Sequence, residues 1–347
     1  MRRAIVPLSI LLVVQLAVAL LLSMRRDPLA GARVDTPLVQ AGVVKAADQI
    51  VISSVAGAQT THVELARKGG TWVLPEQFDA PADASRVNLL LDHLSTLKRG
   101  LPVATSDAAL KRFKLVDSDF ERRVVMKGGG KTLDTLYFGS SPGLRKSDAR
   151  SSADHAVYAV DLPTYELPTD VGSWLDADLL RSDTAKLAEL DVGGASGDKL
   201  QLVRQTSGAG GSSSSSGGGG SPQTATWTDP ELAGSKRIDS THADALVQDL
   251  SDVHTDAVLG TAPKAEWQQD HPALTVALKD DNAHSVDWTL SKPSSGDFYV
   301  LKSSAHPWYF SISSAQGQAL VEAGGRDQLI VATKADTKAE AKPTGKT

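Results

Sequence analysis

The stretch that decides the architecture is "TSGAGGSSSSSGGGGSPQ", residues 206–223. As a linker it would divide two domains at that point; as a loop it lies inside one. It has no side chain that can build a core, so its flanks must choose. Before it, "KLQLVRQ" (199–205) matches the first strand of "HVELARKGGTW" (62–72). After it, Trp227 takes the place of Trp72. In the earlier copy Gly69-Gly70 closes a tight hairpin turn. The later copy has 18 more residues between the matched positions, the length of the run itself. The run is therefore an expanded hairpin loop inside the second of two similar halves.

The match extends outward. "DASRVNLLLDHLSTL" (83–97) aligns without gaps with "DSTHADALVQDLSDV" (239–253), each opening on an aspartate suited to a helix N-cap. Leu90, Leu94 and Leu97 recur at i, i+4 and i+7, as do Leu246, Leu250 and Val253, the spacing of an amphipathic helix. "TWVLPEQ" from Thr71 and "TWTDPEL" from Thr226 each place a proline three residues after the tryptophan. Downstream, Tyr137 aligns with Trp288 and Tyr158 with Tyr309, with His155 and His306 nearby.

Each half thus reads as three strands, a helix, a short helix and three strands. Clustered strands predict an α+β fold with mainly antiparallel sheets and helices packed on one face. The expected organisation is an N-terminal transmembrane segment over 1–26, a first unit over 33–180 and a second, degenerate unit over 181–330. The loop 206–223 falls within the second unit, and a polar, disordered tail covers 331–347. Trp72, Trp227, Trp288 and Trp308 are expected in the core. Trp174 and Trp267 lie in irregular stretches and are expected to face a partner or ligand.

The anchor rests on "AIVPLSILLVVQLAVALLL" (4–22), which carries no charge and is flanked by Arg2, Arg3, Arg25 and Arg26. Its 19 residues would span roughly 28 Å as a helix, about one bilayer core. "AGA" at 30–32 would suit a signal-peptide cleavage site, but the apolar run exceeds a signal core of about 7–15 residues. The simplest topology leaves the short tail inside and exports the body, giving a single-pass inner-membrane protein facing the periplasm.

Composition narrows the function. The 347 residues are 41% hydrophobic and 22% charged with net charge −5, which suits a globular body and argues against a general affinity for nucleic acid. The chain has no cysteine, which removes thiolate chemistry and disulfides. "GSSPG" (139–143) has the G-x-S-x-G pattern around Ser141, but no apolar helical period follows it. "GGGKT" (128–132) sits between two strands instead of before a helix, and "TGKT" (344–347) has no helix to follow. The histidines show no metal spacing. No catalytic, cofactor-binding or metal-ligating residue is expected.

Several motifs together resemble a known family. These are "DQIVIS" (48–53), the W-x-x-P of 72–75, "ADASRVNLLLDHLSTL" (82–97), "FKLVDSDFERRVVMK" (113–127), "YFG" (137–139) and "AVYAV" (156–160). The chain resembles the DUF4340 family, most clearly over 45–180. "FKLVDSDF" lacks the glycine and proline usual in that loop of the family. The resemblance implies a membrane-anchored bacterial protein, often encoded beside ABC-type transporter or gliding-motility genes, and supplies no catalytic residues. The expected function is a non-enzymatic accessory protein whose exported body binds a transporter or envelope partner. The alternatives are a periplasmic ligand- or glycan-binding module and, third, a hydrolase using Ser141.

Loop closure entropy grows only with the logarithm of length. Replacing residues 207–221 by two glycines should therefore change unfolding free energy by only about 1–2 kcal/mol. A chemical-unfolding midpoint measures this, and collapse of the transition would show that the run is structural.

Overall fold

The computed structural model describes residue 15 and residues 36–57, 59–182, 184–195, 197–205, 226–232 and 236–332. Apart from Gln15, the expected membrane segment lies outside the described residues, as do the serine-glycine run and residues 333–347. Val331 and Ala332, expected in the polar tail, instead belong to a short strand, Ile330–Ala332, that pairs antiparallel with Lys236–Ile238. No helix among the described residues is long and apolar enough to cross a membrane. The described residues form two compact units. The first ends at Trp174. The second takes in Leu175 onward, together with Gln77–Pro81.

The first unit contains α1 (Ala41–Ala46), β1 (Gln49–Ala56), β2 (Gln59–Lys68), β3 (Thr71–Leu74), α2 (Ala84–Thr96), α3 (Asp107–Arg112), β4 (Arg122–Gly128), β5 (Lys131–Phe138), β6 (Ser147–Ser151) and β7 (Tyr158–Val160). Its strands run in the order β7-β6-β5-β4-β1-β2-β3, every pair antiparallel. The β2–β3 and β4–β5 turns are built on Gly69-Gly70 and Gly129-Gly130, all four with positive φ, as the tight turn requires. Alternation places Ile50, Ile52, Val63, Leu65, Val124 and Met126 in the core.

The second unit contains β8 (Leu187–Gly194), β9 (Lys199–Gln205), β10 (Thr226–Thr228), α4 (Ser240–Ser251), β11 (Ala257–Gly260), β12 (Leu274–Asp280), β13 (Ser285–Ser291), β14 (Phe298–Ser303), β15 (Tyr309–Ser313), α5 (Ser314–Ala323) and α6 (Arg326–Leu329). Its sheet runs β10-β9-β8-β12-β13-β14-β15-β11. Without β11, that is the strand order of the first unit.

The shared order is matched in detail. Arg67 stands opposite Trp72 and Arg204 opposite Trp227. Each guanidinium lies over its tryptophan ring, at 5.0 and 5.8 Å from the centroid. Asp83 and Asp239 each cap their helix by accepting from the N–H groups two and three residues on.

The ladders correct the alignment of the later strands. Ile50 pairs with Leu65 and Met126, as Leu190 does with Leu202 and Leu278. Continuing outward, Leu136 lies opposite Val124 and Ser151, and Trp288 opposite Val276 and Ser303. Trp288 therefore takes the place of Leu136, not Tyr137. By the same ladders Phe310, opposite Leu301, takes the place of Tyr158, opposite Ala149. A one-residue slip exchanges the faces of a strand, and aromatic identity had outweighed facing.

Other differences have local causes. "SDARS" forms the fully buried β6, although it lacks apolar alternation. Apart from Asp148 Oδ1, which is buried without a partner, its side-chain polar groups are satisfied instead. Arg150 Nε–H donates to the Leu115 carbonyl and Nη2–H to Asp117, while the Ser151 hydroxyl donates to Asp134. Cover is also not confined to one face. Tyr137 packs with Leu110 of α3, Leu115, Phe120 and Val157, on the side opposite Leu136 and Phe138, and all three strand residues are buried. In the second unit α5 and α6 follow the last long strand, and Ser313 caps α5 by accepting from Gln316 N–H.

Helix α5 is held close to its sheet by a glycine. A Cβ on Gly317 would lie 2.2 Å from the Tyr299 ring. In an exposed helix Gly→Ala would stabilise by up to about 1 kcal/mol. Here Gly317→Ala should instead destabilise by about 1–3 kcal/mol through overpacking, measurable by thermal or chemical unfolding.

Candidate functional site

A groove of about 610 Å³ opens beside α2 in the first unit. Val87, Leu90 and Leu94 form the buried stripe of that helix. The neighbouring stripe, Arg86, Leu89 and His93, lines the groove at helical spacing. The opposite wall is the chain that returns after β7, with a 3₁₀ turn at Thr164–Glu166 and an irregular run to Trp174.

Trp174 ties this return segment to the helix. Asp83 N–H donates to its carbonyl at 2.8 Å. Its indole is fully buried, and Nε1–H donates to the Pro168 carbonyl at 3.0 Å. The Arg86 guanidinium lies over the ring, 5.4 Å from the centroid. Among the described residues no group accepts a hydrogen bond from that guanidinium.

The carboxylates of the groove are engaged locally. Asp83 accepts from the N–H groups of Ser85 and Arg86 at 2.9 and 3.0 Å. Glu166 Oε2 meets His93 Nδ1 at 3.0 Å, and Oε1 lies 3.9 Å from Arg145. Burial opposes ionisation of nearby Asp170, but the Ser173 hydroxyl and N–H, with the charge of Arg86, outweigh it and hold that carboxyl below its ordinary value. Three large apolar side chains stand open at or next to lining residues: Leu89 at 54% exposure, Leu144 at 93% beside Arg145, and Tyr165 at 64% beside Glu166.

Most of the sequence motifs lie elsewhere. Ser141 is an exposed turn residue whose hydroxyl donates to the carbonyls of Gly143 and Lys146, both at 2.7 Å, and no helix follows it. The "GGGK" stretch forms the β4–β5 turn, where Gly129 N–H donates to Asp48. His155 is exposed in the β6–β7 loop, whereas His306 stacks on Trp308 with ring centroids 5.8 Å apart. Among the described residues no group of three metal-ligating side chains forms.

The tryptophan assignment is partly reversed. Trp72, Trp227 and Trp288 are core, as expected, but Trp308 is half-buried and donates to the Phe78 carbonyl within the second unit. Trp174 and Trp267, expected to face a partner, are both buried. Lack of strand periodicity around a tryptophan did not mean exposure, because irregular chain can pack over a large ring.

The arrangement matches the family Domain of unknown function (DUF4340) over residues 72–272. The chain belongs to the DUF4340 family. The match begins in β3 and ends just before β12, so it takes in α2 and the whole groove and extends into the second unit. No curated protein and no solved structure matches the chain.

Proposed function

We propose that this DUF4340 protein is a membrane-anchored accessory protein that works by contact, its exported body binding a transporter or envelope partner. The observation that carries this reading is the open groove beside α2, lined by the exposed Leu89 and by an arginine that lies over a buried tryptophan. Large apolar side chains left open around an oriented cation suit a protein surface. The uncharged run over 4–22 supports an anchor in the inner membrane with the body in the periplasm. Confinement at the bilayer would raise the effective concentration toward an embedded partner. The gene neighbourhood that the family resemblance implies points to an ABC-type transporter as that partner.

A glycan-binding module that stacks sugar on Trp174 or Trp267 would need an exposed indole face, and both are buried. A hydrolase centred on Ser141 would need a base beside a hydroxyl that here donates to two carbonyls.

Complementation of a deletion strain separates these readings. Ser141→Ala should rescue fully, because the serine closes a turn. A body exported without residues 1–26 should rescue poorly, because confinement is lost. Full rescue by the released body together with failure of Ser141→Ala would favour a soluble enzyme.

A further inference from the structure

Arg86 stands at the third position of α2, where the helix dipole disfavours a cation. Its counterpart in α4, His242, lies 3.2 Å from the capping Asp239, so that ring meets its own cap. Arg86 lies instead over Trp174 and lines the groove, with no acceptor among the described residues for its guanidinium donors. The next residue on the stripe also differs: Leu89 is more than half exposed, and its counterpart in α4 is Ala245. An oriented arginine and an open leucine, both absent from the matching helix, stand within one turn of each other.

We propose that this groove is a binding site for a partner's peptide segment that carries carboxylates next to aliphatic side chains. This deepens the contact reading above and rests on it for the partner's presence. Arg86 would take a carboxylate through paired N–H donors, as a guanidinium stacked on an aromatic ring is placed to do. Arg145 is 73% exposed and only 3.9 Å from Glu166, close enough to be held over the groove and open enough to take a second carboxylate. Leu89 supplies apolar contact beside them. Charge argues against the chain's own tail as occupant. Residues 333–347 carry Lys334, Lys338, Lys342 and Lys346 against Asp336 and Glu340, the wrong sign for two arginines.

The test pans a random-peptide display library on the full-length protein in detergent micelles, in parallel with Arg86→Glu. Peptides selected on the wild type should be rich in Asp or Glu beside Leu, Ile or Phe. They should bind Arg86→Glu roughly tenfold more weakly, the worth of a charge-assisted hydrogen bond. Lysine-for-glutamate versions of the same peptides should bind Arg86→Glu better than the wild type. Leu89→Asp alters an exposed position, so it should fold and lose the same peptides even if Arg86→Glu does not fold. No selection, selection without acidic bias, or binding indifferent to both variants overturns the proposal. So does Arg86-dependent self-association, which would make a second copy the occupant. Acid-selective binding alongside full rescue by the released body would remove the membrane reading and leave the groove assignment standing. Unselective peptides alongside failed rescue by the released body would do the reverse.

Discussion

The structure of the first unit turns on the hold of Trp174 on the start of α2. One backbone hydrogen bond, from Asp83 N–H to the Trp174 carbonyl, brings the end of the unit against the beginning of its main helix. Burial of the whole indole then fixes the irregular return segment, and its Nε1–H is satisfied within that segment by Pro168. A fully buried aromatic side chain of this size contributes about 3–5 kcal/mol on truncation scales, enough to order a stretch with little regular hydrogen bonding. The same ring lies under the Arg86 guanidinium. Fold and groove therefore depend on one side chain.

The two units show what belongs to the sheet and what was added to it. Seven strands run in the same order in both, with matching ladder partners, helix caps and arginine–tryptophan pairs. Their flanks differ. The second unit follows its last long strand with α5 and α6, and α5 packs on α4. The first unit follows its last strand with the Trp174 segment and leaves a groove. The groove described above therefore belongs to a flank that the two units do not share, and not to the common sheet.

Much of the frame was legible because its signals are local. The helices at 84–96 and 240–251 follow from an aspartate cap and leucine spacing, and the hairpin at Gly69-Gly70 from turn chemistry. Strand β6 was not legible, since "SDARS" is buried only because Leu115, Asp117 and Asp134 come from elsewhere to meet its polar groups. The alignments of Trp288 in β13 and Tyr309 in β15 differ from the ladders by one residue, because Tyr and Trp match by kind whereas facing decides the pairing. The groove was half legible. Arg86, Leu89 and His93 share a stripe, and an arginine in the first turn of a helix is itself a signal. Their meeting with Arg145, Glu166 and Trp174 depends on long-range contacts that no spacing in the sequence announces.

Site-specific photocrosslinking in living cells tests the central claim most directly. A photoreactive residue would replace Leu89 in one strain and its counterpart Ala245 in another. A contact surface in the groove predicts a discrete adduct from position 89 that disappears with Arg86→Glu, and none from position 245. Equal adducts from both positions, or an adduct at 89 that is indifferent to Arg86, would contradict it.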